Sequence, residues 1–166
     1  MLEINNLRIS IAGKTLVKID HLSVSPGERL GLVGESGSGK TLTVLSILGL
    51  LPEMMDVEGS IIFAGQELLG KSDKELAKIR GRDIAMVFQD PSRSLNPTMK
   101  IGRQIGESLR LHTDLSKSDI KQKVIELMHG VQLQDPEKLV TRYPHELSGG
   151  QQQRVMIAMA ISCKPS

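Results

Sequence analysis

Eight consecutive residues, Gly34-Glu35-Ser36-Gly37-Ser38-Gly39-Lys40-Thr41, match the pattern G-x-x-x-x-G-K-[ST]. Glycine in such a loop lets the backbone curl until successive N–H groups point inward at a phosphate. A helix beginning near Gly39 turns the positive end of its dipole toward the same point. An ammonium at Lys40 reaches the β- and γ-phosphates of a nucleoside triphosphate, and the Thr41 hydroxyl is placed to ligate Mg²⁺. The chemistry these residues offer is phosphate binding.

A second glycine cluster, Leu147-Ser148-Gly149-Gly150-Gln151, is followed by Gln152-Gln153-Arg154 and opens a helical pattern. Taken alone, Ser148 is a good N-cap, its hydroxyl accepting a backbone N–H of the first turn. Bare glycines at a helix N-terminus also make a second anion site, which a protein with one phosphate loop does not need within one chain.

The elements that must position these residues follow from periodicity. Leu2 to Ile11 and Leu16 to Val24 read as strands joined by a turn at Ala12-Gly13-Lys14, and Ser25-Pro26-Gly27-Glu28 makes another turn. Arg29-Leu30-Gly31-Leu32-Val33 reads as a short apolar strand of the kind buried on both faces in a parallel sheet. Beyond the phosphate loop, Lys40 to Leu51 reads as a helix closed by Pro52, and Val57 to Phe63 as a strand turning at Ala64-Gly65. Asp73 is placed to cap a short helix through Ile79, and Ile84 to Phe88 reads as a buried strand. Ile101, Ile105 and Leu109 form an amphipathic stripe. Ser116 with Asp119 caps a helix whose face is Ile120, Val124, Leu127 and Met128, and Gly130 ends it. The last helix, Gly149 to Cys163, is apolar nearly all round after Arg154 and is expected to lie deeply buried.

Composition sets the outer bounds. The 166 residues suit one domain, with 39% hydrophobic and 24% charged residues and a net charge of +2, too even to mark a nucleic-acid binder. One cysteine, Cys163, excludes a disulfide scaffold. No apolar run approaches the roughly 18 residues of a membrane span, and no basic n-region opens the chain, so a soluble, non-secreted protein is expected.

Leu147 to Arg154 resembles the signature motif of the ATP-binding-cassette (ABC) ATPases, and Gln89 after Val87-Phe88 resembles that family's Q-loop. With the phosphate loop, three motifs stand in the family's order. Phe88-Gln89-Asp90-Pro91, Ser94-Leu95-Asn96-Pro97 and Tyr143-Pro144-His145-Glu146 are similar to the ATPase subunits of bacterial oligopeptide, dipeptide and nickel importers. The resemblance implies an α/β P-loop NTPase core with N-terminal antiparallel strands and an inserted helical subdomain. Residues 1–88 would be the β-rich and phosphate-loop portion, and 89–163 the Q-loop and helical subdomain through the signature helix, within one ABC domain spanning 1–166. It further implies that two such subunits pair head to tail, homo- or heterodimeric, with ATP between the phosphate loop of one and Ser148, Gly149, Gly150 and Gln151 of the other. Thr41 and Gln89 would hold Mg²⁺, and Gln89 would couple the nucleotide to the segment from Asp90 to Leu147 that docks on a membrane permease. A substrate-binding protein would act indirectly. The place implied is peripheral, on the cytoplasmic face of the cell membrane.

Two features depart from the family pattern. The aromatic ring usually set against adenine would fall near Ile11 by spacing from the Pro26-Gly27-Glu28 turn, yet no aromatic precedes Phe63. Adenine would then rest on Ile11 with about 1 kcal/mol less stacking, which leaves the choice between ATP and GTP open. Second, the apolar strand ending in Asp-Glu (Walker B) and a later histidine do not occur after the signature, and Asp20, Asp90 and the four histidines make no substitute. The reading is therefore of an incomplete ABC domain, poor in hydrolysis by itself and with apolar faces uncovered around Ile84–Phe88 and Val155–Ile161. A non-catalytic nucleotide- or permease-binding module is the alternative. A DNA-maintenance ABC ATPase fits less well, because Gln89 and Ser148 are 59 positions apart with no heptad run between them.

Overall fold

The computed structural model describes residues 1–166 apart from the side chain of Ser92. The chain divides into two units, Met1–Ala77 and Lys78–Ser166. No helix among the described residues is long and apolar enough to cross a membrane.

In the first unit, β1 (Leu2–Ile11), β2 (Lys14–Val24), β3 (Met55–Phe63) and β4 (Gln66–Glu67) form one antiparallel sheet in the order β2-β1-β3-β4. The turn between β1 and β2 puts Ala12 at φ 48° and Gly13 at φ 76°, the two-residue hairpin geometry whose twist matches the strands it joins. Ile4, Leu7, Ile9, Val17 and Ile61 form the buried face. The strands begin a few residues earlier than periodicity suggests, as hairpin pairing extends Leu16 back to Lys14 and Val57 back to Met55. Helix α1 (Lys40–Ile47) follows the phosphate loop and stops four residues short of Leu51, where Leu48 caps it and Gly49 takes a left-handed φ of 60°. The short helix α2 spans Asp73–Leu76, with Ser72 rather than Asp73 as its N-cap. Ser72 and Glu75 form a reciprocal capping box, in which Glu75 accepts the Ser72 N–H at 2.9 Å.

Two expected strands do not form. Residues 29–33 are irregular, with Leu30, Leu32 and Val33 exposed by 50%, 42% and 91%. Residues 84–88 reach only a single parallel bridge, Arg80 to Ile84, and leave Val87 and Phe88 exposed. The reason is physical. A strand of a parallel sheet is held by hydrogen-bonded neighbours, and no other described segment pairs with either stretch.

The second unit is helical. α3 (Pro91–Ser94) precedes α4 (Ile101–His112), α5 (Lys117–Gly130), α6 (Pro136–Leu139) and α7 (Gly149–Ala160), with a 3₁₀ turn at Pro144–Glu146. The stripe on α4 packs as its spacing requires. Ile101, Ile105 and Leu109 join Val124 and Met128 of α5 and Val155 and Met156 of α7 in one apolar core. Ser116 caps α5 by accepting the Asp119 N–H at 3.2 Å. α7 ends at Ala160, earlier than Cys163, and is covered on one side only. Val155 and Ala158 are buried while Ile157 and Ile161 stand 36% and 43% exposed on the other face.

Candidate functional site

The phosphate loop carries its ammonium ready-placed. Lys40 Nζ donates to the carbonyl oxygens of Gly34 (2.8 Å) and Glu35 (2.6 Å) and to Ser38 Oγ (3.1 Å). A phosphate entering the loop would exchange those neutral acceptors for charged oxygens, which make the stronger bonds. Gly39 is the N-cap of α1 at φ 88°, and a Cβ there would lie 2.4 Å from Val17 Cγ2, so the loop seats against β2 only with glycine at this position. Its lack of a side chain also leaves α1 without a side-chain cap. The first-turn N–H groups of α1 thus remain open to an anion. Ser36 and Gly37 form the exposed crest, closed by the Ser38 N–H bond to the Glu35 carbonyl at 3.2 Å. The Thr41 hydroxyl is exposed and without a hydrogen bond among the described residues, so it is free to serve as a metal ligand. Donor set and loop shape both fit a nucleotide triphosphate with Mg²⁺. Ile11 sits half-buried at the end of β1, opposite Lys14.

The second glycine cluster is built differently. Ser148 Oγ accepts the Gln151 N–H at 3.3 Å, and Gln151 Oε1 accepts the Ser148 N–H at 2.9 Å. This capping box uses the Ser148 oxygen as an acceptor and leaves its O–H free to donate outward. The N–H groups of Gly149 and Gly150 remain beside it. Neither glycine has a positive φ, and a Cβ built on either meets nothing within 4 Å. Nothing in this chain's own packing calls for glycine at 149 or 150.

Sequence reasoning missed the side chains that hold this helix start. Gln152 Nε2 donates to the carbonyls of Pro144 (2.8 Å) and Leu147 (3.3 Å), and Arg154 Nη1 to those of Val131 (2.8 Å) and Gln132 (3.1 Å) at the end of α5. Glu146 pairs with Arg142 at 2.6 Å and accepts the Tyr143 N–H at 2.8 Å. That backbone bond, then the Arg142 guanidinium, hold its carboxyl below the usual range.

Gln89 is exposed on the irregular segment before α3, and no hydrogen bond engages it among the described residues. The segment after it is anchored by Gln104, 5% exposed on the apolar face of α4. Gln104 accepts the Asn96 N–H (2.9 Å) and donates to the Asn96 (3.0 Å) and Met99 (2.7 Å) carbonyls. An amide on an apolar stripe was the available signal. The structure thus gathers residues 34–41 in the first unit and Gln89 with Ser148–Gln151 in the second.

Comparison with known proteins shows the family. The profile of the ABC transporter family matches residues 17–166. The oligopeptide transport ATP-binding protein OppD of Salmonella typhimurium is 42% identical over 169 residues, covering 99% of this chain and 50% of its own length. The metal-staphylopine import ATP-binding protein CntD of Staphylococcus aureus (strain NCTC 8325) is 45% identical over 150 residues, covering 90% of this chain and 55% of its own. The chain spans about half the length of these curated relatives. Among solved structures, the dimeric post-hydrolysis state of the ATP-binding cassette MJ0796, bound to ADP and Pi, superposes with a TM-score of 0.86 at 27% identity, over 99% of this chain and 71% of that one. These matches place the chain in the ABC transporter family as an ATP-binding cassette.

Proposed function

We propose that this chain is the nucleotide-binding part of an ATPase subunit that powers a bacterial importer of peptides or metal complexes. The observation that carries the reading is the pair of helix starts, one uncapped behind a phosphate loop and one stripped of side chains with no reason inside the chain. Lys40 and the open N–H groups of α1 take the β- and γ-phosphates. Ser148 O–H and the Gly149 and Gly150 N–H groups meet the γ-phosphate held by a second ATPase subunit, identical or a sister. Gln151 fixes Ser148 in the donating orientation. Thr41 and Gln89 would hold Mg²⁺, which when bound neutralises charge on the β- and γ-oxygens. The names of OppD and CntD support an oligopeptide or metal-chelate cargo.

Segment 90–147 is the face offered to the permease, on the cytoplasmic side of the membrane, and a binding protein delivers cargo to that permease. No role with nucleic acid follows from a net charge of +2. Assayed alone, the 166 residues hydrolyse ATP slowly, because none of their carboxylates follows an apolar strand where it would orient water. Lack of such a group costs about 10²–10⁴ in rate.

The test is sedimentation with and without ATP. Ser148→Arg is expected to abolish ATP-dependent association while single-protomer nucleotide affinity stays unchanged. Association undiminished in that variant refutes the shared site.

A further inference from the structure

The second unit contains a cavity of about 590 Å³ that the nucleotide reading does not use. It lies between α4 and α5, and its volume falls in the range of small-molecule sites, roughly 300–1,000 Å³. Gly106, Ile120, Val124 and Val140 line its apolar middle. Its charged lining is all of one sign: Lys100, Arg103, Arg110, Lys117 and Lys121, with no carboxylate among them. Arg110 is engaged by Glu107, but Lys100, Arg103, Lys117 and Lys121 have no ion pair among the described residues.

The charges are also distributed in a particular way. A Cβ on Gly106 would lie 3.1 Å from Ile120 and 3.4 Å from Val124, so the middle of α4 is level with residues 120–124 of α5. The two helices are joined by a short connection, 113–116, which puts Lys117 toward one end of the cavity, while the Arg110 guanidinium reaches back along α4 to the Arg103 carbonyl at 3.0 Å. Lys100 and Arg103 lie at the other end with Val140 and Thr141, and Lys121 flanks the middle. With Gly106 beside residues 120–124, Lys117 stands level with about residue 111, roughly 12 Å of helix rise from Arg103. Lys100, Arg103 and Lys117 moreover occupy the N-cap or first turn of their helices, where the dipole disfavours cations. An apolar trough with unneutralised cations at both ends matches a ligand that is apolar in the middle and anionic at both ends.

We propose that this cavity binds an elongated small-molecule dianion with an apolar middle, of the α,ω-dicarboxylate class, independently of nucleotide. The probes are decanedioate, the monoanion decanoate and the uncharged decane-1,10-diol, titrated calorimetrically into the chain saturated with ADP. Methyl NMR shifts of Ile120, Val124 and Ile125 report the location. Decanedioate is expected to bind one per chain and at least tenfold more tightly than decanoate, to move those methyls, and to outbind the diol by a wider margin. The pairs Lys100→Glu with Arg103→Glu and Lys117→Glu with Lys121→Glu should each reduce decanedioate affinity at least tenfold, with melting temperatures confirming the exposed changes leave the fold intact. Equal affinities for decanedioate and decanoate overturn the two-ended reading. No saturable binding, binding indifferent to both reversals, or binding without shifts at the three residues overturns the site altogether.

Discussion

Replacing Gly149 and Gly150 together by alanine separates what the helix start needs for itself from what it offers to others. Both residues are the first two of α7, have no positive φ, and face open space where a methyl would go. Alanine is preferred over glycine in a helix by roughly 0.5–1 kcal/mol, and first-turn positions take the lower end of that range. The pair should therefore stabilise the chain by about 1 kcal/mol, which raises the melting temperature by roughly 2–4 °C at this length. The same two methyls stand beside the Ser148 hydroxyl, between the Gly149 and Gly150 N–H groups and any phosphate brought to them. The double variant should melt later and lose ATP-dependent association. The assays are differential scanning calorimetry and sedimentation with ATP. A melting temperature that falls instead would show that the glycines serve this chain's own packing, and the outside-ligand argument would fail.

Two more outcomes follow from the hydrogen bonds. Gln104→Leu strands the Asn96 N–H and the Asn96 and Met99 carbonyls; it should cost about 1–3 kcal/mol and speed amide exchange over residues 96–99, and a change below about 0.5 kcal/mol with unaltered exchange would contradict the anchoring role. Glu67 is raised by partial burial, but bonds from the Ser60 hydroxyl and the Ile61, Leu69 and Leu68 N–H groups outweigh this and hold its carboxyl below the ordinary 4.5. Its contribution to the first unit is thus complete above 4.5 and lost as pH falls through the lower folded value. Glu67→Gln should flatten the melting temperature between about pH 6 and pH 3 relative to the parent, and identical pH profiles would contradict it.

The chemistry-bearing motifs were legible because each is a local arrangement. The glycine spacing of residues 34–41, the Ser148 cap and the α4 stripe all act through neighbours within a few positions. The irregular stretches at 29–33 and 84–88 were not, since their residues are sound strand formers and what is missing is a pairing partner. Caps shifted by one residue, from Asp73 to Ser72, because either side chain can accept an N–H and the Glu75 partner decides between them. Gln104 and Gln152 escaped notice as polar residues on helices; only tertiary packing shows which backbone groups they hold.

The phosphate loop is the centre of the account, and calorimetric titration of ADP and ATP with Mg²⁺ into the chain and into Lys40→Ala tests it most directly. The Lys40 ammonium already rests within 2.6–3.1 Å of three loop oxygens, poised where phosphate oxygens would replace them. A charge-assisted hydrogen bond contributes about 1.5–3 kcal/mol, so the alanine variant should bind both nucleotides roughly 10–150-fold more weakly. Equal affinities for the two proteins would contradict nucleotide binding at Gly34–Thr41.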